Sequence, residues 1–337
     1  MASSPNDPSV SKKLPEDEIE AAPFTRGEPY FDDGNIILTV ERTHFRVYRG
    51  VLAALSPVFA DMFAMAQPST DETLVDGCPV IELDDSVEDW EILLEAYFQR
   101  RYLITAVSVA GTLIINVLWH SFDFVETVPL PMSVVTAYLR LGTKYDMEKF
   151  RGQAVKRLTY EFPSTLQTLD KINHYTRIQE CESFANNFFS VVDLANRYNV
   201  PQILPWLFYA TCSHLSVKAM SRPTPPFLSR QDLQTCLTGR EQLLGLQAKH
   251  TFAWLIKEQC PSCTELCNIT RKNLRDTHFG PIPTCRALES WGPKWHTGLC
   301  RPCTVSARAS HEAGRKKIWD KLPSVFCLPD WPDLLKQ

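Results

Sequence analysis

The change of hydrophobic period at Gly50 is the feature that most narrows the folds open to this chain. Upstream of it, Asn35 to Val40 (NIILTV) is β-branched and apolar, Glu41-Arg42-Thr43 is a polar turn, and Phe45 and Val47 then alternate against His44 and Arg46. That is the pattern of a β-hairpin with one buried face. Downstream, Val51, Leu52 and Leu55 fall on one helical stripe, and Ser56-Pro57 opens a second helix carrying Val58, Phe59, Met62 and Phe63. Proline suits that place because its fixed φ matches the first helical turn, where its missing N–H goes unused. After a polar loop from Gln67 to Gly77, Val80-Ile81-Glu82-Leu83 predicts a strand, and Ser86 with Asp89 starts a helix whose stripe is Trp90, Leu93, Leu94 and Tyr97. The expected class is α+β: a hairpin and short sheet covered by helices.

Three stretches then occur in order: Phe31-Asp32-Asp33-Gly34-Asn35-Ile36, Phe45-Arg46-Val47-Tyr48-Arg49-Gly50-Val51-Leu52 and Ser56-Pro57-Val58-Phe59-Ala60-Asp61-Met62-Phe63. They closely resemble the BTB/POZ domain, and the remainder of the chain resembles a fungal, basidiomycete-type branch of proteins that carry it. The resemblance implies a non-enzymatic interaction module that forms homodimers and recruits other proteins. It also implies that Asp33 and Arg49 occupy positions that form a charged pocket near the dimer interface in many members. Read from the residues alone, Asp33 is equally a turn residue and Arg49 a solvated surface charge. Tyr48 stands where a His is usual. Members that serve as cullin ubiquitin ligase adaptors carry an apolar residue, any residue and Glu after the second helix, whereas this chain reads Met65-Ala66-Gln67. The adaptor role thereby loses its most specific support.

The chain has 337 residues, with 24 Pro against 13 Gly, and contains no G-x-G-x-x-G, P-loop, G-x-S-x-G or H-E-x-x-H. Nucleotide-cradling and common hydrolase or metalloprotease machinery is therefore not expected. Charge is uneven: residues 1–100 carry −13, residues 101–250 carry +4 and residues 251–337 carry +5. This points to separate modules, with a modest basic excess at the end. Residues 1–29 have almost no apolar side chains and read as a disordered tail rather than a secretory signal. A cytoplasmic or nuclear setting is thus expected, where the 11 Cys are buried thiols or metal ligands rather than a disulfide framework.

The expected organisation places the BTB/POZ domain at 30–162, a helical region at 163–250 and a Cys-rich module at 251–337. Within the first, the stretch from Tyr102 to Trp119 holds no charged residue. Three readings compete for 102–128: an unspliced intron translated in frame from Leu103 to about Val128, a buried insertion whose β-branched residues lean towards strand, and a membrane span. The span would divide one core between two sides of a bilayer. Further on, Val134 to Met147 is loosely echoed by Val191 to Val200, each copy reading as helix, Tyr-Asp/Asn turn, helix. Pro223 to Pro226 is a break, and Arg230 to Ile256 again reads as helical.

Cysteine spacing carries the remaining chemistry. Cys260-Pro261-Ser262-Cys263 is followed by Cys267, and Cys300-Arg301-Pro302-Cys303 directly precedes a helix expected over Thr304 to Leu322. Two thiolates two residues apart bite one Zn²⁺ within a turn, and a helix N-terminus stabilises the negative sulfurs. A structural zinc on four of Cys260, Cys263, Cys267, Cys300 and Cys303 competes with buried free thiols and a redox dithiol; the long gap between the pairs departs from the compact four-cysteine pattern. His278, His296 and His311 are substitute ligands or ordinary histidines. Trp291, Trp295, Trp319, Phe326 and Trp331, with Leu322 and Leu334, are expected to form a small core around the metal; a partner-binding aromatic surface is the other reading. The function expected is therefore a homodimerising, partner-recruiting protein. The alternatives are a DNA-associated transcriptional regulator with a zinc-bound basic tail, a cullin adaptor, and, most weakly, an enzyme using the Cys/His set.

Overall fold

The computed structural model describes residues 24–65, 74–99, 106–109, 112–115, 129–171, 177–179, 188–221, 228–256, 263, 265–293 and 295–336. Order begins before Tyr30. Strand β1 (Thr25–Arg26) pairs in parallel with β3 (Thr43–Val47), so the disordered tail expected through Pro29 does not extend that far; residues 1–23 lie outside the described residues. The reason is a close fit: a Cβ on Gly27 would lie 2.3 Å from Phe45 Cε1, and only glycine lets this segment lie against the Phe45 ring.

Strand β2 (Ile36–Val40) forms the expected hairpin with β3, Ile36 opposite Val47 and Val40 opposite Thr43. The sheet order is β1-β3-β2-β4, with β4 (Val80–Leu83) parallel to β2. Every residue of β2 is buried, which corrects the expectation of a single buried face for that strand. An inner strand flanked on both edges and covered on both faces shows continuous hydrophobicity rather than alternation. Helices α1 (Arg49–Leu55), α2 (Pro57–Met65) and α3 (Val87–Leu94) follow as expected. Ser56 Oγ accepts from Phe59 N at 3.1 Å and Ser86 Oγ from Asp89 N at 3.4 Å, so both serines cap as the sequence predicts. Ala66 and Gln67 lie outside the described residues.

Among the described residues, strands β5 (Ala106–Val109) and β6 (Thr112–Ile115) pair only with each other in an antiparallel ribbon, Ala106 opposite Ile115. The rest of the apolar stretch, 103–105, 110–111 and 116–128, is outside the described residues. The membrane-span reading is corrected to that extent: the described part is strand, as its β-branched residues suggest, and no described helix is long and apolar enough to cross a membrane.

Strand β7 (Leu130–Pro131) leads into α4 (Met132–Lys144), α5 (Glu148–Glu161) and α6 (Leu166–Lys171), and pairs with β8 (Ile178–Gln179). Next come α7 (Phe188–Arg197), α8 (Leu204–His214), α9 (Val217–Met220) and α10 (Arg230–Leu246). The echo noticed in sequence has a geometric counterpart. Helices α4 and α7 are each followed, two positions past their last residue, by a residue of positive φ, Asp146 at 51° and Asn199 at 52°. In each, an N–H reaches back five residues, Met147 to Gly142 O at 2.8 Å and Val200 to Ala195 O at 2.9 Å. The break at Pro223 to Pro226 lies outside the described residues.

The C-terminal part holds α11 (Glu265–Phe279), α12 (Arg301–Val325) and α13 (Trp331–Leu334). The boundaries expected at 162 and 250 are not packing boundaries, because one apolar core runs from Ile36 through Tyr138, Leu207 and Leu243 to Phe326. Helix α12 explains this: its 25 residues span about 38 Å, enough to carry Cys303 at one end and Ile318, Leu322 and Phe326 into the main core at the other. The aromatic residues expected around a metal are divided accordingly. Trp291 and Trp295 pack near the cysteines, while Trp319 and Phe326 join the main core and Trp331 stacks on Trp319 at 5.3 Å.

Candidate metal centre

Asp33 and Arg49, expected near a dimer interface, are each engaged within the chain. Tyr48, at the position where the resemblance expects His, donates its hydroxyl to Asp33 Oδ1 at 2.6 Å. This hydrogen bond holds the Tyr48 phenol above its ordinary pKa, since the carboxylate favours the protonated ring. Arg49 Nη2 donates to Phe63 O at 2.6 Å, capping the last turn of α2, and its guanidinium lies 5.1 Å from the Phe63 ring centre. Its backbone N–H is taken by Asn35 Oδ1 at 2.8 Å.

At the other end of the chain, four sulfurs converge. The Sγ atoms of Cys263, Cys267, Cys300 and Cys303 all lie within 4.8 Å of one another, with Cys263 and Cys303 at 3.3 Å. A tetrahedral zinc with bonds of about 2.3 Å places its sulfurs about 3.8 Å apart, inside that span. The fifth candidate, Cys260, lies outside the described residues. Among the described residues, the converging sulfurs have the spacing Cys263-x-x-x-Cys267 with Cys300-x-x-Cys303.

Local sequence explains the convergence. Cys267 falls in the first turn of α11, Cys300 is the N-cap of α12 and Cys303 lies in its first turn. Pro302 stands inside that turn, where its absent N–H removes no hydrogen bond. The Cys300 side chain makes no capping hydrogen bond, so its sulfur remains with the cluster. Two helix N-termini thus face the sulfurs, and their unpaired N–H groups favour negative charge there. One contact is direct: Cys300 N–H points at Cys267 Sγ at 3.0 Å. Around them Phe252, Trp254, Leu255, Leu299 and Ala307 form a second, smaller apolar core, in which Cys267 and Cys303 are buried while Cys263 and Cys300 are half-buried.

The sequence did not single out Arg271. It lies on α11 one turn beyond Cys267, is 8% exposed, and donates from Nη2 to Cys303 Sγ at 3.4 Å and from Nη1 to Trp254 O at 3.1 Å. The i, i+4 spacing from Cys267 was the available signal, because it puts both residues on one helix face.

The three histidines do not join this group of sulfurs. His311 is fully buried, accepts from Trp254 Nε1 at Nδ1 (3.3 Å) and faces Glu289 O through Nε2 (2.8 Å). A carbonyl only accepts, so the proton is on Nε2 and the ring is neutral; burial lowers its pKa. His278 stacks on Phe252 at 4.3 Å, and burial with the Arg286 charge pushes its pKa down to about 4. His296 is exposed in a short 3₁₀ turn. The other core thiols are also apart from the cluster: Cys212 Sγ donates to Cys236 O at 3.2 Å, and burial pushes Cys285 up to about 12. Such groups behave as small hydrophobes.

Comparison with known proteins assigns the N-terminal unit. Residues 30–119 match the BTB/POZ domain family. No curated protein matches the chain. The fold is a BTB domain with a short mixed sheet and helices, followed by a mostly helical C-terminal region, and such a domain is in general a protein-interaction module.

Proposed function

We propose that this chain works by binding rather than catalysis: its BTB/POZ domain self-associates into a homodimer and recruits partner proteins, while a structural zinc organises the C-terminal region. The observation that carries the reading is the family match over residues 30–119. The hairpin, both following helices and the parallel strand of that domain are present in order. Sedimentation of the full chain tests it: a dimer at tens of micromolar supports the proposal, and monomer alone at high micromolar overturns the homodimer.

The zinc rests on donor chemistry. Four thiols within 4.8 Å, facing two helix N-termini and lined by an apolar shell, suit a closed tetrahedral site with no position for substrate. Metal analysis of the purified full chain is expected to find near one zinc per chain. Background zinc, with the half-buried Cys263 and Cys300 reacting freely in the native protein, removes the site.

A second reading, a DNA-associated regulator, has one observation in its favour. Burial lowers the pKa of His250, and the positive charges of Lys249, Lys317 and Lys321 lower it further, so three lysines share one neighbourhood. Lys249 and His250 lie in the turn Gln247–Thr251 after α10, which packs against α12, the helix of Lys317 and Lys321. Duplex binding that falls steeply with salt would favour this reading, since phosphate contacts release counterions.

A further inference from the structure

The metal centre contains a cation that no spacing rule asks for. A tetrathiolate around Zn²⁺ carries two excess negative charges, and burying them is costly unless donors or cations face the sulfurs. Cys267 Sγ receives the Cys300 N–H, and Cys303 Sγ, the more buried of the α12 sulfurs, receives Arg271. A guanidinium has N–H donors and no acceptor, so the burial of Arg271 is compensated only by groups that accept from it. Two of its contacts belong to different segments: Trp254 O lies in the 3₁₀ turn Ala253–Leu255, and Cys303 lies on α12. One planar guanidinium on α11 thereby ties the turn before the site to the helix that supplies its last ligand.

We propose that Arg271 is the positioning residue of the zinc site: anchored on Trp254 O, it holds Cys303 Sγ in the ligand position and offsets part of the tetrathiolate charge. The inference rests on the zinc reading above. It predicts more than packing. A guanidinium that donates to a ligand sulfur lowers the energy of the sulfur lone pairs, so its removal makes that sulfur a better electron donor to the metal. Lysine keeps the charge at this position, but its compact ammonium lacks the planar fork that spans an oxygen and a sulfur on separate segments.

The test uses full-length protein loaded with zinc or, separately, with cobalt(II). Zinc affinity is read by competition with a chromophoric chelator, and the cobalt protein by its sulfur-to-cobalt charge-transfer band. Arg271→Leu is expected to weaken zinc about 10- to 100-fold, the range for losing a group that orients a metal ligand, and to move the charge-transfer band to lower energy. Arg271→Lys is expected to recover part of the affinity. Unchanged affinity and an unchanged band in Arg271→Leu overturn the role while leaving the zinc site standing. Wild-type protein that takes up neither metal overturns the zinc reading itself. If Arg271→Leu does not fold, Arg271→Gln, neutral and polar, is read by the same band: a shift supports the assignment, and an unmoved band overturns it.

Discussion

Tyr48 Oη lies 2.6 Å from Asp33 Oδ1, so the one departure from the family pattern in the second motif is also the residue that binds the first motif's acid. The pair is exposed, and its contribution to the stability of the isolated chain is small. Tyr48→Phe is expected to leave the thermal midpoint nearly unchanged. If the Asp33 surface lies at the dimer interface, the same change frees the carboxylate to repel its counterpart or rearrange, and the dimer dissociation constant rises. Equilibrium sedimentation of wild type and Tyr48→Phe side by side measures this; identical constants would separate Asp33 from the interface.

The crossing of α12 over the π-helical turn Gln247–Thr251, which follows α10, leaves no room at Gly314. A Cβ there would sit 2.4 Å from His250 C and O and 2.6 Å from Thr251 N, and backbone cannot step aside as a flexible side chain can. Gly314→Ala is expected to cost on the order of 2–4 kcal/mol, as overpacking with backbone displacement does. Gly152→Ala in α5 meets nothing within 4 Å and should stabilise by up to about 1 kcal/mol, through the higher helix propensity of Ala. Chemical denaturation of the two variants checks the contrast; equal effects would contradict the close approach.

Acid should loosen the C-terminal core through its histidines. His278 and His311 are held neutral below their ordinary pKa, His278 down to about 4, by burial and by neighbouring positive charge from Arg286 and Arg315 respectively. The unfolded chain takes up these protons as pH falls through about 6.5 while the folded chain does not. Stability is therefore full above that value and declines towards pH 4, by at most about 1.4 kcal/mol per pH unit for each group. His278→Gln should flatten the decline in thermal midpoint between pH 6.5 and 5. An unaltered slope would show that the ring at 278 does not titrate differently on folding.

Removing the metal should be felt locally. Trp254, Trp291 and Trp295 pack within 5.3–6.1 Å of one another beside the cysteines, while the Trp90 ring belongs to the main core. A strong chelator is expected to change tryptophan emission and expose the sulfurs to thiol reagents, while the N-terminal sheet keeps its amide protection. Cys303→Ser should abolish zinc retention. Emission and thiol reactivity that ignore the chelator would argue against a metal in the native protein.

The ribbon of β5 and β6 shares its sheet with no other strand among the described residues. Deleting residues 103–128 is expected to leave the thermal midpoint within a few degrees of the full chain, whether the segment is a translated intron or an insertion. Long-read transcripts decide between those two, and a deletion that prevents folding would make the segment part of the core.

Much of the N-terminal domain was legible because its signals are local. The hairpin, the Ser56-Pro57 helix start and the Ser86 cap depend on residues within one or two turns of each other, and periodicity reports them directly. The two-sided burial of β2 and the pairing of Thr25–Arg26 with β3 were hidden, since they depend on which strands flank an edge and that is set by contacts distant in sequence. The cysteines show the same division. Sequence alone identified five sulfur donors and a helix start beside Cys300, because ligand type and spacing are chemical properties of the chain. Only the tertiary structure showed that, among the described sulfurs, Cys263 and Cys267 are the ones that meet Cys300 and Cys303, and only it brought Arg271 beside them. The choice belongs to the packing of α11 against the start of α12, which brings together residues more than thirty positions apart, and no local pattern encodes the angle at which two helices meet.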